Sequence, residues 1–277
     1  MKAPDLIAYL GPEGTFSQMA TINHFGEESN LHACENIEDV FSAVETSKAR
    51  FGVVPIENST EGAVNYTQDC LLETNVLVSG EVVIRIEHQL LIAENADASA
   101  IEKIASHKQS LAQCRNWLSK HYPRVELVEC SSNAEAARLA ATNNKTAAIA
   151  GELAANIYNL VPVMKKIQDQ EHNSTRFFVL SQEKTRSSSC DKTSILVYAE
   201  NKPGSLFRIL EPFENLKISL TKIETRPAKV EAWEYVFFID FEGHVEDELI
   251  QRLFNRLEKC VAEFKVLGSY PVAQIKK

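Results

Sequence analysis

The chain has 277 residues, 44% hydrophobic and 24% charged, an ordinary globular composition with room for two domains of about 100–150 residues each. Its formal charge of −9 argues against a nucleic-acid or anionic-membrane surface, and no segment approaches the roughly 20 apolar residues of a membrane-spanning helix. The six cysteines, at 34, 70, 114, 130, 190 and 260, form no CxxC pair and the seven histidines no paired metal spacing, so neither a structural zinc site nor a disulfide framework is expected.

Strands and helices alternate in the first long stretch. LIAYL (6–10) reads as a short apolar strand, and a Gly/Pro turn then leads into a helix from Phe16 that Thr15 or Ser17 can cap. Val40, Phe41 and Val44 recur at helical spacing, 51–56 reads as a buried strand, 63–72 as a helix and 76–86 as a strand. A second unit follows, with strands at 88–93, 125–130 and 146–150 and helices at 111–121 and 134–142. The capping-box pattern Ser132-Asn133-Ala134-Glu135 introduces the second of those helices, Gly151 opens another to about Tyr158, and 161–167 and 176–180 read as strands. The pattern implies parallel sheets covered on both faces, and two such units joined by short crossings imply two lobes around a cleft.

Residues 181–193 are polar, Ser-rich and without apolar period, the best linker in the chain. Beyond it come a strand at 195–199, a helix at 204–216, strands at 218–225 and 235–241, a long helix at 245–264 and a last strand at 266–270. The order β-α-β-β-α-β is that of the ferredoxin-like split motif. The fold class expected is therefore α/β followed by a smaller α+β unit.

Four polar islands sit at strand ends. Gly11–Ser17 (GPEGTFS) is either a plain turn or an anion site made by bared backbone amides; it lacks the lysine of a P-loop and the glycine spacing of a dinucleotide site. In PIENSTEG, Glu57 beside Asn58 pairs a proton donor with an orienting amide, whereas Ser59 and Thr60 equally suit helix capping. In SHKQSLAQC, His107 on its own reads first as a surface or hydrogen-bonded histidine, and Gln109 stands just before a helix. In HNSTRFF, the Arg176 fork suits a carboxylate or a salt bridge between lobes.

Taken together and in order, GPEGTFS, PIENSTEGAVNYTQDCLL (55–72), SHKQSLAQC (106–114) and NSTRF (173–177) resemble the prephenate dehydratase family over essentially the whole chain. NKPGSLFRIL (201–210) and KIETRP (222–227) resemble its ACT regulatory domain. The resemblance implies a bilobal, periplasmic-binding-protein-like catalytic domain at 1–182, with lobe one at about 1–85 plus 175–182 and lobe two at about 86–174. A linker at 183–193 and an ACT domain at 194–277 follow. It implies conversion of prephenate to phenylpyruvate with loss of carbon dioxide and water, without metal, nucleotide or organic cofactor. Thr175, Arg176 and Phe177 are then placed at the catalytic centre. Thr175 bonds the departing hydroxyl, Glu57 is the first candidate for its proton if burial raises the carboxyl pKa, and His107 is the second. Asn58 and Gln109 orient substrate, and Gly14, Thr15, Ser17 and Ser59 complete its binding.

In the ACT part the resemblance implies feedback by L-phenylalanine. Asn201, Pro203, Gly204, Ser205, Leu206, Glu224, Thr225 and Arg226 are the candidate contacts, with helix-start amides for the carboxylate and Glu224 for the ammonium. Gly204-Ser205-Leu206-Phe207 replaces the family's usual Gly-Ala-Leu-aliphatic, and Glu224-Thr225-Arg226-Pro227 its Glu-Ser-Arg-Pro, which bears on effector preference. A homodimer or homotetramer in the cytoplasm is expected. The dehydratase motif starts by residue 9, so no chorismate mutase activity is expected. The rival readings are an arogenate dehydratase and a non-catalytic amino-acid sensor.

Overall fold

The computed structural model describes residues 5–199, 202–227 and 235–274. The chain runs β1 (Leu6–Leu10), α1 (Phe16–Phe25), β2 (Asn30–Cys34), α2 (Ile37–Glu45), β3 (Phe51–Asn58), β4 (Gly62–Ala63), α3 (Asn65–Glu73) and β5 (Leu77–Arg85). Next come β6 (Gln89–Ala93), β7 (Lys103–His107), α4 (Lys108–Gln113), α5 (Arg115–His121), β8 (Glu126–Cys130), α6 (Asn133–Thr142), β9 (Thr146–Ala150), α7 (Glu152–Ile157), β10 (Leu160–Lys165) and β11 (Ser174–Ser181). The last six are β12 (Asp191–Ala199), α8 (Ser205–Leu216), β13 (Leu220–Pro227), β14 (Tyr235–Glu242), α9 (Glu248–Leu257) and β15 (Glu263–Pro271).

Two α/β sheets form, one ordered β2-β1-β3-β11-β5 with β4 on β3, the other β10-β6-β9-β7-β8. Local chemistry explains several helix starts. Thr15, Asn36 and Ser132 each accept the N–H three residues on, satisfying a donor that the first helical turn leaves open. In α2 the residues Ile37, Val40, Phe41 and Val44 bury one face, while Glu38 and Asp39 favour the positive helix start. Each fully buried side chain of this size contributes about 1.5–3 kcal/mol of transfer free energy.

The expectation of parallel sheets needs correcting, because both are mixed. β1 lies parallel to β2 and β3 but β4 is antiparallel to β3, and β7 lies parallel to β8 and β9 but β6 is antiparallel to both β9 and β10. A parallel neighbour needs a crossover of a dozen or more residues; β6 is hydrogen-bonded to neither of its chain neighbours, β5 and β7, so no such crossover sets its direction. The helix expected at 111–121 is two segments meeting at Cys114, and the first starts earlier, at Lys108. The second has its own cap from afar, since the Asp169 carboxylate accepts the N–H groups of Asn116 (2.9 Å) and Trp117 (3.0 Å).

The third sheet is ordered β13-β14-β12-β15 with every pairing antiparallel. Ile209, Phe213 and Leu216 of α8 and Ile250, Leu253 and Leu257 of α9 bury against Ile195, Val197, Phe237, Ile239 and Phe241, as a β-α-β-β-α-β unit requires. The long helix expected at 245–264 is cut to ten residues. Phe264 and Val266 pair in register with Val197 and Ile195 of β12, so strand alternation takes over from helical spacing there.

Among the described residues the chain forms two compact units: residues up to Gln68 with Val82–Phe177, and Asp69–Glu81 with Phe178–Gln274. In the second unit the almost fully buried Glu81 carboxylate accepts from Lys192 Nζ (3.0 Å) and Ala273 N–H (2.9 Å). No helix among the described residues is long and apolar enough to cross a membrane. Strand β15 approaches β5 so closely at Gly268 that an added Cβ would lie 2.0 Å from the Val78 carbonyl oxygen. Gly268→Ala is therefore expected to cost about 3 kcal/mol or more in chemical denaturation, because neither backbone can give way.

Candidate active site

Asn58, the last residue of β3, organises the site. Its Oδ1 accepts the backbone N–H groups of Thr60 (3.0 Å) and Glu61 (3.1 Å) and the Thr60 hydroxyl (2.6 Å). Backbone N–H groups only donate, so the atom facing them must be the amide oxygen, and the orientation of this side chain follows. Its Nδ2 then donates to Asn173 Oδ1 and to Thr175 Oγ1, both at 2.9 Å. Beside it Ser59 N–H donates to Ser174 O (2.9 Å) and Ser174 N–H to Ser59 Oγ (3.0 Å). The second and fourth polar islands, more than a hundred residues apart in sequence, thus meet at the ends of neighbouring strands.

The other sheet contributes Gln113, at the end of α4. Its Nε2 donates to Thr60 Oγ1 (3.0 Å) and its Oε1 accepts from Asn173 Nδ2 (2.8 Å) and faces His88 Nε2 (2.9 Å). His88, 1% exposed, sits edge-on to the Phe16 ring with centroids 5.7 Å apart. Burial lowers its pKa below 6.5, opposed in part by the bond to Gln113. These groups border a cleft of about 340 Å³ whose lining includes Thr60, Glu61, Gln113, Asn116, Asp169 and Asn173. The Asp169 N–H donates to Gln113 O (2.8 Å), which ties the wall of the cleft to the end of α4.

Gln113 and His88 are functional candidates that the sequence reading does not single out. Gln109, which it does, lies one turn earlier and is exposed on the first turn of α4. The four-residue spacing of the two glutamines puts them near one helical face, but Gln109 is exposed, so spacing alone does not single out Gln113. His107 accepts the Gln109 N–H at its Nδ1 (3.4 Å) as the N-cap of α4, and burial lowers its pKa, with the Glu129 charge acting the other way.

The remaining candidates fall around this cluster. Arg176, its side chain 12% exposed, places Nη1 3.9 Å from Glu57 Oε2, and the Glu57 side chain is 38% exposed. The deep burial that a neutral carboxylic acid there would want is not what the fold supplies. Phe177 is 1% exposed and belongs to the core. In the first island Gly14 N–H donates to Gln18 Oε1 (2.6 Å), Thr15 Oγ1 donates to Leu10 O (3.1 Å), and Ser17 is buried in α1. Gly14 has φ +87°, and a Cβ there would press on Tyr158 and Ala154, whose helix α7 the loop packs against; Tyr158 also donates to Glu13 O (3.1 Å). Two of this turn's polar groups are thus committed within the protein.

The expected effector site is a separate turn. Gly204, with φ +80°, caps α8, and Arg208 folds back over it, donating to Pro203 O (3.1 Å) and Ser205 Oγ (3.0 Å). Leu206 is 42% exposed, and Thr225 is exposed on β13. Glu224 lies 3.2 Å from Lys222, and Arg226 pairs with Asp69 at 2.5 Å. Asn201 lies outside the described residues.

Comparison with known proteins bears on the whole chain. The family model described as prephenate dehydratase matches residues 7–185, and that of the ACT domain residues 193–259. The bifunctional chorismate mutase/prephenate dehydratase of Pseudomonas aeruginosa is 48% identical over 99% of this chain and 75% of its own length. The prephenate dehydratase of Methanocaldococcus jannaschii is 34% identical over 96% of this chain and 98% of its own. The crystal structure of the prephenate dehydratase from Arthrobacter aurescens in complex with L-Phe is 30% identical, with a TM-score of 0.89 over 98% of this chain and 92% of that one.

The His88 environment also sets a pH dependence. The unfolded chain takes up a proton near pH 6.5 that the buried ring resists, so this contribution to stability is fully present above about pH 6.5 and is lost as the pH falls below it. Denaturation between pH 7.5 and 5.5 should show stability falling, with His88 supplying at most about 1.4 kcal/mol per pH unit; His88→Gln should flatten that slope.

Proposed function

The chain belongs to the prephenate dehydratase family, its reaction is the loss of carbon dioxide and water from prephenate to give phenylpyruvate, and on that premise we propose which groups carry the reaction and its control. The ring carboxylate leaves as carbon dioxide, its bonding electrons enter the ring, and the ring C–O bond breaks on the far side. The departing hydroxide takes a proton to become water. Aromatisation drives the process, so the protein has to hold two carboxylates, stabilise the leaving oxygen and exclude bulk water.

The observation that carries the assignment is the 2.9 Å bond from Asn58 Nδ2 to Thr175 Oγ1. A hydroxyl that accepts from a fixed amide is left with its own proton to donate, and Thr175 hydrogen-bonds the departing oxygen with it. A threonine is too weak an acid to protonate hydroxide by itself, so Glu57, across from Arg176, is assigned as the proton source. Arg176 takes a substrate carboxylate, which releases Glu57 from its ion pair in the unliganded site and lets it carry the proton it delivers. Gln113 joins Asn58 as an orienting amide in preference to Gln109, because it reaches the network and Gln109 is exposed.

L-phenylalanine is the effector we assign to the turn at Gly204, Ser205 and Leu206, with Glu224 for its ammonium group. The complex of the Arthrobacter aurescens relative with L-Phe supports this reading. Leu206 and Phe207, 42% and 68% exposed, favour pairing of this domain with a second copy. All six cysteines are thiols rather than disulfides, which favours a reducing, cytosolic setting.

Purified protein should convert prephenate to phenylpyruvate, read by its absorbance in alkali, and added L-phenylalanine should suppress the rate. Faster turnover of arogenate run in parallel would move the assignment to that substrate, and binding without turnover of either would leave a sensor. Thr175→Ala should lower kcat by about 100-fold or more, with Thr175→Ser recovering part of it. Glu57→Gln retaining near-normal kcat would remove Glu57 from the proton step. Gly204→Val should raise the phenylalanine concentration needed for half-inhibition while leaving kcat near normal, since φ +80° is strained for any side chain and a Cβ there would displace the Arg208 guanidinium.

A further inference from the structure

The reaction reading uses Thr175 and Asn58 but gives no part to His88, a fully buried imidazole at the opposite end of the same hydrogen-bonded cluster. The direction of every bond in that cluster can be worked out from one end. The Thr60 and Glu61 N–H groups fix Asn58 Oδ1 as the acceptor, so Asn58 Nδ2 donates to Asn173, whose facing atom is therefore oxygen. Asn173 Nδ2 then donates to Gln113, whose facing atom is oxygen in turn, and Gln113 Nε2 donates to Thr60 Oγ1. The Thr60 hydroxyl proton completes the circuit at Asn58 Oδ1. The atom of His88 that meets Gln113 Oε1 has to be a donor, which makes the ring the Nε2–H tautomer. Its Nδ1 is buried without a hydrogen-bond partner.

Asn58 is held by its own turn, and turning Asn173 or Gln113 over sets donor against donor at its neighbour, so those two hold their orientation together. Backbone amides pin one end, and the other end rests on a single side chain. We propose that His88 is a positioning residue: its Nε2–H holds Gln113, and through it the Asn173 side chain that receives one of the two Asn58 Nδ2 protons, so that the other stays on Thr175 Oγ1 and the Thr175 proton faces the substrate oxygen. This rests on the assignment of Thr175 above, although the tautomer of His88 does not.

The test compares two variants of the full chain and the wild-type imidazole. His88→Phe keeps a ring against Phe16 and removes the donor; His88→Gln restores an N–H at a similar reach. His88→Phe should lose about tenfold or more in kcat with KM within about twofold, and His88→Gln should recover most of the loss. A kcat unchanged in His88→Phe, or equally depressed in both variants, overturns the proposal. Nitrogen-15 NMR of the wild-type ring should report Nε2 protonated and Nδ1 bare through neutral pH. The opposite tautomer overturns the proposal even if His88→Phe does not fold. Wild-type protein inert toward prephenate would instead sink the reaction reading, with the tautomer still judging the hydrogen-bond chain.

Discussion

The site depends on one amide oxygen. Asn58 Oδ1 receives two main-chain N–H groups from the turn immediately after its own strand, so its orientation is settled locally, before any long-range contact forms. Everything that reaches it from elsewhere then has to present an acceptor to its nitrogen. The cluster is a set of neutral groups, each bond worth a modest 0.5–1.5 kcal/mol or so. On the proposed assignment its value lies in having a single consistent polarity, which aims the Thr175 hydroxyl.

Strand ends explain why these residues can meet. β3 and β11 are neighbours in one sheet, and the end of β3 lies beside the start of β11, so the loop after one meets the loop before the other. α4 brings Gln113 from the other sheet to the same point. The mixed character of the second sheet matters here. Entering β6 directly from β5 puts His88 at the crossing between the two sheets, where its ring is covered by Phe16 from one side and its Nε2 faces α4.

Much of this was legible from residue order alone. The four polar islands, the caps at Thr15 and Ser132 and the β-α-β-β-α-β order all rest on local spacing, and local spacing survives folding. What escaped depends on distant partners. Asp169 decides that 108–121 is two helical segments, and no rule of propensity near residue 114 announces a carboxylate more than fifty residues away. The end of α9 was misplaced for a related reason: Phe264 continues a helical stripe in sequence but is claimed by strand pairing with β12. His88 escaped because a lone histidine before an apolar strand carries no motif, and its role exists only through Gln113.

The bond from Ser59 N–H to Ser174 O has a chemical consequence of its own. An asparagine followed by serine ages by cyclisation, when the next residue's backbone nitrogen attacks the side-chain carbonyl and expels ammonia, and water then opens the resulting succinimide to an aspartate or isoaspartate. At Asn58 that nitrogen is engaged with the neighbouring strand and the carbonyl oxygen is held in place by two N–H groups, so the ring cannot close without breaking all three bonds. The same contacts that orient this amide thereby slow its decay. The folded protein preserves the one side chain whose conversion to a carboxylate would replace the donor to Thr175 with an acceptor.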